Sequence, residues 1–174
     1  MRRLILLRHA KSDQNQPGKS DHERVLNARG RDDARRIGTY LAHHGYVPDL
    51  AVVSTAQRTR ETWLIAARAL PEPPTRFDEQ LYDASREDIL DVIMKTGADI
   101  RTLAVVGHNP SFHEAAIHLI GTGDVEMRQS LQEKFPTAGV AIIEFAQDDW
   151  RKLHPAAGRL ERFVSPRILA AKID

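Results

Sequence analysis

Short aliphatic runs recur along the chain at wide intervals, separated by amphipathic stretches. Leu4-Ile5-Leu6-Leu7, Leu50 to Ser54 (LAVVS) and Thr102 to His108 (TLAVVGH) are continuously apolar rather than alternating, as expected of strands buried on both faces of a mainly parallel sheet. Between them, Ala34, Ile37 and Leu41 recur at i, i+3 and i+7, and Ile89, Val92 and Ile93 follow the capping box Ser85-Arg86-Glu87-Asp88. Both stretches are predicted to be helices. A further helix is expected over residues 109–121 (NPSFHEAAIHLIG), with Pro110 near its start and Gly121-Thr122-Gly123 closing it.

Residues 138–145 (AGVAIIEF) and 159–164 (RLERFV) flank a polar stretch containing Asp148-Asp149. They read as strands paired antiparallel at one side of the sheet. The short run from Pro71 to Pro74 reads as a loop, and the tail from Trp150 to Asp174 as a strand and a final helix packed on the domain. Strands alternating with helices imply βαβ units, with helices on both faces of a mixed, mainly parallel sheet. Such sheets bind ligands at the carboxyl ends of their strands. The polar residues of interest stand there.

Composition narrows the function. A chain of 174 residues fits one domain, residues 1–174, with a core large enough to need no disulfide or metal. The 25 lysines and arginines against 24 acidic residues give no bulk attraction for nucleic acid or an anionic membrane. With no cysteine, thiolate catalysis, iron–sulfur clusters and cysteine-bound zinc are excluded. The N-terminal MRRLILLRHAKS offers four apolar residues before Arg8, too few for a signal-peptide core or a membrane span. A soluble cytoplasmic protein is expected.

Three polar features fall where strands end: Arg8-His9, the stretch from Ser54 to Thr62 with Arg58, and His108. A phosphoryl group in transfer spreads charge over three oxygens, which guanidinium groups bind in a bidentate fashion. Nearby arginines also favour a neutral imidazole, which keeps the lone pair that attack on phosphorus requires. Taken singly, each residue has a plainer reading: a solvated arginine, or a satisfied core histidine at His108. Arg58 and Arg60 are one residue apart, so position does not say which points inward, and Arg24, Arg29 and Arg31 also suit a helix start. A metal set is not expected, because His43-His44 sit at a helix end and His113 and His118 are five apart, not i, i+4.

The motifs Leu-Arg-His-Ala-Lys-Ser at 7–12, Ser-Thr-Ala-Gln-Arg-Thr-Arg-Glu-Thr at 54–62 and Gly-His-Asn-Pro at 107–110 together resemble the histidine phosphatase superfamily. Within it, the segment Arg24-Val25-Leu26-Asn27-Ala28-Arg29-Gly30 is similar to the Arg-x-Leu-Thr-x-x-Gly segment of short bacterial phosphohistidine phosphatases of the SixA type. Ala10 in place of glycine fits that branch. Thr55, Val25 and Asn27 also depart from common family residues, but none of them removes a phosphate ligand.

The resemblance implies a three-layer αβα, phosphoglycerate mutase-like fold, no metal or other cofactor, and hydrolysis through a phosphohistidine on His9. Arg8, Arg58 and His108 would hold the phosphoryl oxygens, Arg24 would add a contact from the loop before the first helix, and Arg60 would stand aside. Asp83 falls roughly where larger members carry a proton donor, with Glu79 as a neighbouring candidate.

Only about twenty residues separate Leu81 from Leu103. With no insertion there to form a lid, an open cleft suits a phosphorylated protein better than an enclosed metabolite. The polar loop from Lys11 to Asp21, with Lys11 and Lys19, would border that cleft. The alternatives are a phosphomonoesterase or mutase-like activity on small phosphorylated metabolites, and a binding module that recognises phosphate without turning it over.

Overall fold

The computed structural model describes residues 1–171. Seven strands form one sheet: β1 (Arg2–Arg8), β2 (Leu50–Ser54), β3 (Thr75–Asp78), β4 (Thr102–Gly107), β5 (Ile120–Gly123), β6 (Val140–Phe145) and β7 (Gly158–Val164). The helices are α1 (Ala28–His43), α2 (Gln57–Ala66), α3 (Arg86–Met94), α4 (Ser111–Leu119), α5 (Val125–Glu133) and α6 (Pro166–Ala171). The strand order is β3-β2-β4-β1-β6-β7-β5. The pairs β1–β4, β2–β4, β2–β3 and β5–β7 are parallel, whereas β6 runs antiparallel to both of its neighbours.

The fold is thus a mainly parallel α/β sandwich, as the aliphatic runs indicate. The antiparallel member lies inside the sheet, however, and the strand beyond it turns back into the common direction. Period-two alternation within each central strand divides the core. Leu4, Leu6, Val52, Leu103 and Val105 pack with Ile89, Val92 and Ile93 of α3 and with Phe112 and Leu119 of α4. Ile5, Leu7, Val53, Ala104 and Val106 pack on the other face with Ala34, Ile37 and Leu41 of α1 and with Trp63 of α2. Leu169 of α6 joins the α1 face, so the packed reading of the tail holds as far as Ala171; residues 172–174 lie outside the described ones.

Two strands escape the aliphatic pattern. β3 (TRFD) is a largely exposed edge strand with no apolar run. Residues 120–123, expected to close the helix before them, form the edge strand β5, whose pairing with β7 comes from a segment more than thirty residues away. α5 carries no apolar periodicity either, since only its Leu131 is buried. The capping box at Ser85 and Asp88 is present, with both reciprocal bonds made.

Gly30 is sterically required beside the site. A Cβ on Gly30, in the first turn of α1, would stand 2.1 Å from the carbonyl oxygen of Lys11. The Asn27 N–H donates to that same oxygen at 3.0 Å, so α1 is seated on the chain just after His9. Gly30→Ala is expected to cost about 1–3 kcal/mol through overpacking and to lower activity with it. A chemical-denaturation midpoint equal to wild type would refute that account.

Candidate active site

The sheet register brings the two distant histidines together. Arg8 pairs with Gly107 across β1 and β4, so the next residues, His9 and His108, leave adjacent strand ends side by side. Their ring centroids are 5.4 Å apart. The His9 backbone is fixed on both sides: its N–H donates to Gly107 O at 3.0 Å, and its carbonyl accepts from Ala138 N at 2.9 Å. Ala10 N donates to Thr62 Oγ1 at 2.9 Å, tying the strand end to α2.

His9 is 9% exposed, and its Nδ1 lies 2.7 Å from the carbonyl oxygen of Ala10. A carbonyl only accepts, so the proton sits on Nδ1 and Nε2 keeps a free lone pair. Burial, and then the charges of Arg8, Arg58 and Arg24, push the His9 pKa down to about 4 against the opposing backbone hydrogen bond. His108 is pushed down to about 3, first by burial and then by His9 and Arg58. Both rings are therefore neutral near pH 7.

Arg58 and Arg60 are resolved by the helix. Arg58 is buried. Arg60, on another face of α2, donates from Nε to Thr55 O at 2.8 Å and lies over the Phe77 ring. Arg8 is braced from Nη1 to Phe135 O at 3.0 Å, an oxygen that Asn109 Nδ2 also reaches at 2.9 Å. Burial, and then Arg58, lower the pKa of Arg8, although a guanidinium stays charged at any working pH. The Nε atoms of Arg8 and Arg58 and the Nδ1 of His108 are buried without a hydrogen-bond partner among the described residues. Leaving such groups unpaired costs on the order of 1–3 kcal/mol each.

Asp21 carries no motif of its own in the sequence, although its position three residues before Arg24 is a signal. Its carboxylate accepts from Arg24 Nε at 3.1 Å, from Arg58 Nη2 at 3.3 Å and from the Tyr82 hydroxyl at 2.5 Å. Arg58 Nη1 also reaches its backbone carbonyl at 2.8 Å. The Tyr82 hydrogen bond, the largest single cause, together with Arg58 and Arg24 and against the opposing effect of burial, holds Asp21 down at about 2. Arg24 spends its remaining contacts on Ser12 Oγ and Asp13 O, so it orders the loop from Lys11 to Asp21 beside the site. Tyr82 meets the His108 ring edge-on at 5.7 Å, and Ser54 Oγ lies 2.8 Å from His108 Nε2.

Of the residues expected at the site, Arg8, His9, Arg24, Arg58 and His108 come together. Asp83, next to Tyr82, is exposed with a left-handed φ of 53°, and Glu79 is exposed in the short 3₁₀ turn that carries the chain to Tyr82. Among the described residues, no group of three or more His, Asp or Glu side chains is arranged to hold a metal ion.

The model of the histidine phosphatase superfamily (branch 1) matches residues 4–89, a span that holds Arg8, His9, Asp21, Arg24, Arg58 and Tyr82 but not His108. An uncharacterised protein of Mycobacterium tuberculosis is 35% identical over 163 residues, covering 92% of this chain and all of its own length. A solved structure assigned as phosphohistidine phosphatase SixA of Agrobacterium tumefaciens superposes with a TM-score of 0.81 at 31% identity, covering 95% of this chain and 98% of its own. A second so assigned, from Nakamurella multipartitia, gives 0.83 at 26% identity and covers 95% and 96%. The chain belongs to the histidine phosphatase superfamily, in its SixA-type branch, and is a phosphatase. No helix among the described residues is long and apolar enough to cross a membrane.

Proposed function

We propose that the enzyme hydrolyses phosphohistidine in proteins, through a phosphohistidine of its own on His9 and without a metal. The observation that carries this is the set of three buried, unpartnered nitrogens, Arg8 Nε, Arg58 Nε and His108 Nδ1, gathered around an imidazole whose Nε2 lone pair is free. In this reading Ser54 Oγ, which accepts from Ala56 N at 3.3 Å, donates its own proton to His108 Nε2. The His108 proton then sits on Nδ1. Three N–H donors thus meet three phosphoryl oxygens, preorganised before charge develops.

His9 Nε2 attacks phosphorus as the P–N bond to the substrate imidazole breaks, with that bond's electron pair leaving on the imidazole nitrogen, which takes up a proton. Water then attacks the phosphorus, frees inorganic phosphate and restores His9. An imidazole leaving group needs less protonation than an alkoxide, so water in an open cleft can supply the proton, with Asp83, next to Tyr82 in the chain, as the candidate acid. The segment between Tyr82 and β4 is spent on α3, which packs against the core, so it builds no lid; an open cleft suits a protein-borne phosphate. The whole chain acts as one domain in this scheme, in the cytoplasm.

The test is to incubate the enzyme with a ³²P-labelled histidine-phosphotransfer domain and quench rapidly. An acid-labile, base-stable phosphoenzyme is expected. Sugar phosphates turned over far faster than the phosphoprotein would shift the assignment to metabolites, and absence of label during active turnover would remove the covalent step.

A further inference from the structure

A pocket of about 250 Å³ is lined by Lys11, Arg29, Lys134, Arg167, Asp33 and Thr137, among others. Four cations against one carboxylate leave it a formal excess of three positive charges, in a chain whose whole net charge is +1. Asp33 is buried, which raises its pKa, and Arg29 Nε stands 3.9 Å from it, at the limit of an ion pair. Among the described residues, the exposed side chains of Lys11, Lys134 and Arg167 hold no ion pair at all.

The two sites share a wall. Lys11 follows His9 by two residues, a span of at most about 7 Å of chain, and the Gly30 contact fixes its backbone. On the opposite side, residues 134–138 serve both sites. Lys134 and Thr137 line the pocket, while the Phe135 carbonyl braces Arg8 and the Ala138 N–H holds the His9 carbonyl. The pocket is no second phosphatase centre, since it has no imidazole and its donors are flexible surface amines and guanidiniums. It is also below the usual size of a cavity that encloses a metabolite.

Resting on the phosphatase reading above, we infer that this pocket is a subsite for carboxylates flanking the phosphorylated residue, so that the enzyme selects phosphoproteins with an acidic surface around the phosphate. Exposed cations around an open cleft contribute mainly to specificity and encounter rate, and their effect fades as salt screens them.

The test uses two peptides carrying a hydrolysis-resistant phosphoryltriazole in place of phosphohistidine, one with three flanking aspartates and one with three asparagines. Dissociation constants are read by fluorescence polarisation at 50 mM salt. Wild-type protein is expected to bind the acidic peptide about ten-fold more tightly, an advantage that falls to about one in Lys134→Glu/Arg167→Glu. Lys134→Gln alone, less disruptive to the fold, should lose about half the advantage on a logarithmic scale. Equal affinity for the two peptides in the wild type, or a ten-fold preference surviving the double reversal, would overturn the inference. So would a small bis-phosphorylated metabolite that displaces the acidic peptide and loses this ability in the double variant, because the pocket would then serve metabolites. Binding is measured apart from turnover, so a failure to hydrolyse phosphohistidine would count against the catalytic reading alone.

Discussion

His9→Ala is expected to lower turnover of a phosphohistidine substrate by at least about a thousand-fold, equivalent to ~4 kcal/mol of transition-state stabilisation. The reason is chemical rather than architectural. The ring supplies the one lone pair presented by a buried, neutral imidazole whose other nitrogen is bound to the Ala10 carbonyl. The neighbouring donors on Arg8, Arg58 and His108 remain after the substitution. The variant should therefore still bind an oxyanion such as vanadate, seen as a rise in thermal midpoint with concentration, while forming no phosphoenzyme. Near-wild-type turnover by His9→Ala, purified free of host phosphatases, would end the nucleophile assignment.

A second large effect concerns acid. Folded His9 and His108 titrate at about 4 and about 3, below the ordinary imidazole value of ~6.5 that they regain on unfolding. Between these values the unfolded chain binds more protons, so stability is fully present above pH ~6.5 and is lost as pH falls towards 4. At pH 5 the loss is expected to be about 2–4 kcal/mol, or roughly 5–15 °C in thermal midpoint for a chain of this size. Carboxylates such as Asp21 and Asp149, held at about 2, titrate lower and do not share this window. Calorimetry across pH 7.5 to 4.5, repeated on His9→Gln/His108→Gln, checks the cause, because the double variant should show a much flatter profile. An equally steep fall in that variant would place the acid sensitivity elsewhere.

Much of this site is legible in the chain because its chemistry is local to strand ends. A run such as Leu4 to Leu7 that is apolar on both faces ends where the sheet ends, so Arg8 and His9 had to emerge at its carboxyl edge. The same holds for His108 after β4. Arg58 and Arg60 could not be separated in that way, since α2's rotation relative to the sheet comes from the packing of Trp63 and Ile65.

Asp21 and Tyr82 were less legible still. Nothing local to Tyr82 says that it will reach Asp21, 61 residues earlier, or touch His108. β3 and β5 escaped for a related reason, since edge strands are half-solvated and take their pairing from distant partners. The acidic donor rests on position alone, with Asp83 on an exposed turn.

By itself, the sequence determined the alternation of buried strands and helices, the near-neutral charge and the phosphate-binding residue types at Arg8, His9, Arg58 and His108, because burial periodicity and side-chain chemistry are properties of short stretches. Only the tertiary structure decided that β6 runs antiparallel inside the sheet, that Asp21 braces Arg24 and Arg58, and that Lys11, Arg29, Lys134 and Arg167 line one pocket. Those depend on contacts between residues far apart in sequence, which the packing of the whole core selects and no short window contains.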